Sequence, residues 1–228
     1  MSHISTIPEF RANQQIKGDT IRPSIAFLCF KRSLDIFTSL IILPIVVAVC
    51  ILALILNPFF NRGKLFYTQE RVGKNGIIFR MYKLRTMQGQ CDDAKFATEE
   101  CSRITPLGKF MRDIHVDELP QIINVLLGSM SLIGPRPEQL AFFKNYAQNI
   151  QSYSLRQTVR PGVSGMAQIR CGYTDCDAGV RLKLKWDLVY VRNQRFALEG
   201  QIYLQTFAYV FPRVGKRLFG LLNHYRNG

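Results

Sequence analysis

From Ile36 to Asn61 the chain carries no charged residue. A run of this length can enter a bilayer, since roughly 20 apolar residues cross one as a straight helix. Pro44 interrupts it and removes a backbone hydrogen bond, which predicts a kink. The helical pieces on either side would be about 12 Å and about 18 Å long, each short of the roughly 30 Å hydrocarbon core. Both flanks are basic, with Lys31 and Arg32 before the run and Arg62, Lys64, Arg71 and Lys74 after it. Positive charge marks the cytoplasmic side. Two such flanks describe a helix that enters, bends at Pro44 and returns, and a plain spanning helix is the other solution.

Downstream, Phe66 to Met87 reads as two strand-like pieces around Gly73-Lys74-Asn75-Gly76, and Asn-Gly between such pieces signals a hairpin. In an extended second piece, Lys83 and Arg85 share one face and Arg80 and Tyr82 the other. Leu119, Ile122, Ile123, Leu126 and Leu127 fall at helical spacing before Gly128, with Pro120 at the start. Leu140, Phe143, Ala147 and Ile150 make a second helical stripe, read as core. Residues 197–226 mix large apolar with basic side chains. That pattern suits a helix in the membrane interface, or equally a core or dimer helix.

Composition narrows the class. A chain of 228 residues is long enough for one domain with a real core. The formal charge of +14 implies an anionic partner: nucleic acid, an anionic membrane surface or a phosphorylated substrate. The six cysteines are scattered without a C-x-x-C pair and the three histidines lie far apart, which argues against zinc. Residues 1–24 form a polar arm without the apolar core of a secretory signal.

The chemistry concentrates between Arg112 and Pro137, R-D-I-H-V-D-E-L-P-Q-I-I-N-V-L-L-G-S-M-S-L-I-G-P-R-P. Asp117 and Glu118 sit at or just before a helix N-terminus, where unpaired N–H groups favour anions. Taken alone, the pair reads as an ordinary helix cap with a first-turn acid. Gly134-Pro135-Arg136-Pro137 follows as a stiff extended segment, because a residue before proline is pushed out of the helical region.

The whole string resembles the bacterial sugar transferases, the polyprenyl-phosphate hexose-1-phosphate transferases also called monotopic phosphoglycosyl transferases. Y-K-L-R-T-M (82–87), R-P-G-V-S-G-M-A-Q-I (160–169) and the stretch from Leu182 to Arg192 resemble further family signatures. The likeness extends over roughly Lys31 to Phe211. It departs at Leu43, where the family often has serine before the proline, at Met166, often tryptophan, and at Ser129, often aspartate.

The resemblance implies an α+β, mostly helical fold: a polar arm (1–30), a re-entrant membrane helix kinked at Pro44 (31–61) and a cytoplasmic catalytic domain (62–228) with a short hairpin and interfacial helices. It implies transfer of a hexose 1-phosphate from a UDP-sugar to polyprenyl phosphate with release of UMP, at the cytoplasmic face of the bacterial inner membrane. Asp117 would be the nucleophile and a ligand of Mg²⁺, and Glu118 its proton-handling or positioning partner. Lys83, Arg85, Arg112, Arg136, Gln168 and Asp187 would bind phosphate or substrate. Membrane lipid is an expected partner, nucleic acid is not, and a homo-oligomer is left open. The competing classes are a non-catalytic basic module on membrane or nucleic acid, a scaffold for later glycosyltransferases, and a phosphotransferase acting on another lipid head group.

Overall fold

The computed structural model describes residues 23–89, 103–171 and 177–209 together with Gly215; the polar arm up to residue 22 lies outside them. Helix α1 runs from Ile25 to Phe60 without interruption at Pro44 or Pro58, about 54 Å at the standard rise. It begins earlier than the apolar run because Ser24 caps it, its hydroxyl accepting from the Phe27 N–H at 3.1 Å. Its buried residues, Phe27, Asp35, Ser39, Val46, Ala53 and Asn57, recur at helical spacing and form one stripe from end to end. The opposite side exposes Ile41, Ile45, Leu52 and Ile55.

Strands β1 (Phe66–Val72) and β2 (Ile78–Leu84) form the expected antiparallel hairpin. Asn75 and Gly76 make its turn at positive φ, 55° and 73°, a conformation that asparagine and glycine tolerate best. Helix α2 (Pro106–Asp113) is capped by the Thr105 hydroxyl. A single 3₁₀ turn, Val116–Glu118, carries the acid pair and leads into α3 (Gln121–Leu127), which Gly128 ends in the left-handed region at φ 84°. Asn124 of α3 bonds to both sides of the β2 backbone: its Oδ1 accepts from the Tyr82 N–H at 3.0 Å and its Nδ2 donates to the Arg80 carbonyl at 2.7 Å.

Strand β3 (Ser131–Ile133) precedes Gly134-Pro135-Arg136-Pro137, and β4 (Glu138–Gln139) follows it and adds to β1. Helix α4 (Leu140–Asn149) buries Phe143 and Ala147, with Ile150 just beyond it, in a cluster with Tyr146, Tyr153 and Leu184. The second stripe is therefore core. The chain continues through a 3₁₀ segment, Tyr153–Thr158, then β5 (Gly162–Ser164), α5 (Met166–Cys171), α6 (Asp177–Arg192) and α7 over residues 196–209. α7 has two faces: Leu198 and Ile202 are buried, while Leu204 and Phe207 are exposed.

One sequence expectation changes here. The glycines of Pro161-Gly162-Val163-Ser164-Gly165 predict a tight turn, yet Gly162 opens a strand that pairs in parallel with β3. The glycine serves close approach: a Cβ at Gly162 would lie 2.1 Å from the Gly134 nitrogen. The basic cluster at the mouth of α1 is bonded into the fold. Lys31 bonds to Glu199 at 2.8 Å and to the Ile133 carbonyl at 3.0 Å, and Arg32 donates to the Val125 and Leu126 carbonyls at the end of α3.

Candidate active site

Asp117 and Glu118 are neighbours in the chain but live in different electrostatic surroundings. Glu118 is fully engaged: its Oε1 accepts from Lys83 Nζ at 2.7 Å and from Arg136 Nη2, and its Oε2 accepts from Arg136 Nη1 at 3.2 Å. Burial alone would raise its pKa, but the Arg136 and Lys83 charges overcome that and hold it well below the usual carboxylate range. Glu118 is a fixed anion. Asp117 is only 7% exposed and accepts no hydrogen bond among the described residues. Burial first, and then the Glu118 charge, push its pKa up to about 6 against the opposing pull of Lys83, Arg112 and Arg136. It is the uncommitted carboxylate of the pair.

Local structure explains the division. His115 adopts φ 58° and starts the 3₁₀ turn, which sets Asp117 and Glu118 on different sides of the backbone. Lys83 comes from the end of β2, and Arg136 from the stiff segment between β3 and β4. Arg112, in the last turn of α2, is oriented by its Nε–H donating to the Thr86 hydroxyl at 2.8 Å. Residues far apart in sequence thus place Lys83, Arg112 and Arg136 around the acid pair. A buried carboxylate among three cations is a place where phosphate charge can be held.

Three further expected site residues are engaged with the protein itself. Arg85 lies beyond the end of β2, and its guanidinium closes the C-terminus of α1, donating to the carbonyls of Asn61, Arg62 and Lys64. Backbone carbonyls at a helix end draw a cation for the same reason that phosphate does. Asp187 is 2% exposed and pairs with Arg156 at 2.7 Å. Gln168 donates from Nε2 to the Val163 carbonyl at 3.2 Å and so holds the β5 turn.

Other residues shape the site without having been read as site residues in the sequence. Arg156 donates to the Arg136 carbonyl at 2.9 Å and to the Tyr153 hydroxyl at 2.6 Å, and it meets Glu138 at 3.3 Å. Ser129, one of the departures from the family pattern, donates to the Asn124 carbonyl at 3.1 Å and stays within the α3 turn. Arg71 donates to the Pro137 carbonyl, directly after Arg136. The signal for Arg71 was the alternation of β1, in which Tyr67, Gln69 and Arg71 share a face with Lys83 and Met81.

The chain is 36% identical over 200 residues to the UDP-N-acetylgalactosamine-undecaprenyl-phosphate N-acetylgalactosaminephosphotransferase of Aeromonas hydrophila, covering 87% of this chain and 47% of that protein. It is 35% identical over 183 residues to the UDP-glucose:undecaprenyl-phosphate glucose-1-phosphate transferase of Klebsiella pneumoniae, covering 78% and 39%. It is also 35% identical over 187 residues to the exopolysaccharide production protein PSS of Rhizobium leguminosarum bv. phaseoli, covering 78% and 94%. The chain spans less than half the length of the first two of these relatives. The sequence profile of the bacterial sugar transferases matches residues 26–213, and the chain belongs to that family.

Proposed function

We propose that this protein transfers a sugar 1-phosphate from a UDP-sugar to a polyprenyl phosphate, as the first membrane step of exopolysaccharide or other glycoconjugate synthesis. The observation that carries the reading is the asymmetry of the acid pair: Glu118 is bound by two cations, while Asp117 is buried among cations with its carboxylate uncommitted.

A carboxylate nucleophile divides a difficult transfer into two easier steps. An oxygen of Asp117 attacks the sugar-proximal phosphorus. The bond to the bridging oxygen breaks, and UMP leaves with that oxygen and its electron pair. An oxygen of polyprenyl phosphate then attacks the phosphorus of the aspartyl phosphosugar. The bond to Asp117 breaks, the carboxylate is restored and the polyprenyl-diphosphate sugar departs. Lys83, Arg112 and Arg136 counter the charge of phosphate and nucleophile. Glu118 acts by positioning, because an anion held by Lys83 and Arg136 orients both of them.

Among the described residues no three metal-ligating side chains converge. Mg²⁺ is commonly held by one or two carboxylates together with substrate phosphates, and Asp117 fits that mode. When bound there, the ion would neutralise charge between carboxylate and phosphate.

Among the described residues α1 is the one helix long and apolar enough to cross a membrane. Its buried stripe supports a monotopic placement instead. Lys31 near one end and Asn61 just past the other both bond to the same domain, and buried contacts at Ser39, Val46 and Ala53 leave no 20-residue stretch free of it. The exposed side would then dip into the cytoplasmic leaflet, with the acid pair at the lipid head groups. The two named transferases above differ in their sugar, so the donor is proposed only as a UDP-hexose or N-acetylhexosamine.

The test is UMP release from a panel of UDP-sugars with polyprenyl phosphate and Mg²⁺, comparing wild type with Asp117→Asn. Release with one donor, lost in the variant, is expected. No release from any donor by folded, membrane-inserted protein would overturn the reading.

A further inference from the structure

On β1, Tyr67, Gln69 and Arg71 lie opposite Lys83, Met81 and Phe79 of β2, and residues directly opposite in an antiparallel pair share a face. Lys83 reaches Glu118 from that face, and Met81 packs against Ile122 and Val125 of α3. Arg71 therefore points to the side of the sheet that carries the acid pair. It lies beneath the Gly134–Pro137 segment, where its Nη1 donates to the Pro137 carbonyl at 3.2 Å and its Nη2 to Gln69 Oε1 at 2.5 Å.

Both acceptors are neutral. Among the described residues no carboxylate forms an ion pair with Arg71, and its Nε–H is shut off from solvent with no acceptor. Burial lowers its pKa to about 10 and the Arg136 charge lowers it too, against the opposing pull of the Glu138 and Glu118 carboxylates. The buried arginine Arg156, by contrast, has Asp187 and Glu138. A half-buried cation whose nearest carboxylates, Glu138 and Glu118, act on it without forming an ion pair is only partly compensated, and its buried N–H without an acceptor adds a further cost. An anion would relieve both. The neighbour that brings one is Arg136, whose own guanidinium is about one-third exposed.

We propose that Arg71 is a phosphate-binding residue of the active site, taking a phosphate oxygen of the donor diphosphate or of the lipid phosphate alongside Arg136. This rests on the transfer reading for its substrates, but not for its chemistry.

The experiment uses the full chain in nanodiscs, with inorganic pyrophosphate as probe and calorimetry as readout. Arg71→Gln, shown folded by its melting temperature, is expected to weaken pyrophosphate binding at least about tenfold. Arg71→Lys, which keeps the cation but not the fork of donors, should weaken it less. In an Arg136→Gln background, Arg71→Gln should weaken binding further, because a direct contact acts separately from one routed through Arg136. Unchanged affinity in either folded single variant, no added loss in the double variant, or no pyrophosphate binding by wild type would each overturn the assignment. In turnover, a raised KM for the UDP-sugar assigns the contact to the donor, and a raised KM for polyprenyl phosphate assigns it to the acceptor. If wild type releases no UMP yet binds pyrophosphate through Arg71, the transfer reading falls and the phosphate site stands.

Discussion

Arg156 donates its Nη2–H to the backbone carbonyl of Arg136 at 2.9 Å, and the same guanidinium pairs with Asp187 at 2.7 Å. The arginine that holds Glu118 is thus itself held from behind, through its main chain, by a buried ion pair. Asp187 thereby supports the Arg136 segment through Arg156. Removing one partner of a buried pair leaves an uncompensated charge, which costs about 3–5 kcal/mol. Arg156→Met is expected to lose about that much stability in thermal or denaturant unfolding and to reduce UMP release. Wild-type stability in that variant would mean that the pair does not support the Arg136 segment.

Asp117 makes opposite demands on stability and activity. Its pKa in the fold is raised to about 6, so its contribution to stability is fully present below its unfolded pKa near 3.8 and is lost as pH rises through about 6. Asp117→Asn should therefore melt higher than wild type at pH 7.5, by up to about 3 kcal/mol, with the gap narrowing toward pH 4. Activity runs the other way, since the nucleophile must be ionised. UMP release should fall as pH drops through about 6, and a pH–rate profile flat to pH 4.5 would contradict the assignment.

Glu118 raises the Asp117 pKa, so the neutral isostere should lower it. In Glu118→Gln the acid limb of the residual activity should move to lower pH, and the loss of a carboxylate that binds Lys83 and Arg136 should reduce the rate. Carboxyl infrared titration of Asp117 in the two proteins measures the shift directly.

Arg85 offers a contrast with Lys83, two residues away. Its three carbonyl acceptors close the end of α1, so Arg85→Ala should lower the melting temperature, at a cost of about 1–3 kcal/mol. The KM for the UDP-sugar should stay near wild type. A large rise in KM with stability intact would instead make Arg85 a substrate contact.

Asp35 fastens α1 to the strand that leads into the Arg136 segment. It is 1% exposed and accepts from the Ser131 hydroxyl at 2.7 Å and from the Leu132 N–H at 3.0 Å. Asp35→Ala leaves both donors buried and unpaired, about 1–3 kcal/mol each. Hydrogen exchange should accelerate at residues 131–133, and protection equal to wild type would show that the strand does not depend on this contact.

Local patterns in the chain were enough to establish several features, because each depends on neighbours in sequence. The hairpin at Asn75-Gly76, the helix that starts after Asp117-Glu118 and ends at Gly128, and the core stripe of α4 all follow from turn chemistry and helical spacing. Motif length identified the family, and in the structure the charges of Lys83, Arg112 and Arg136 all act on Asp117. The tertiary structure decided which charges meet. Lys83 and Arg85 are two residues apart and of one sign, yet one reaches Glu118 and the other a helix end, because the strand stops at Leu84 between them. Asp187 and Arg156 are 31 positions apart, and Arg71 lies 66 before the Pro137 carbonyl that it binds. Burial and pairing are set by what packs above a residue, and no spacing along the chain encodes that. The sequence determined the kinds of chemistry present; packing determined that Glu118 is committed and Asp117 is free.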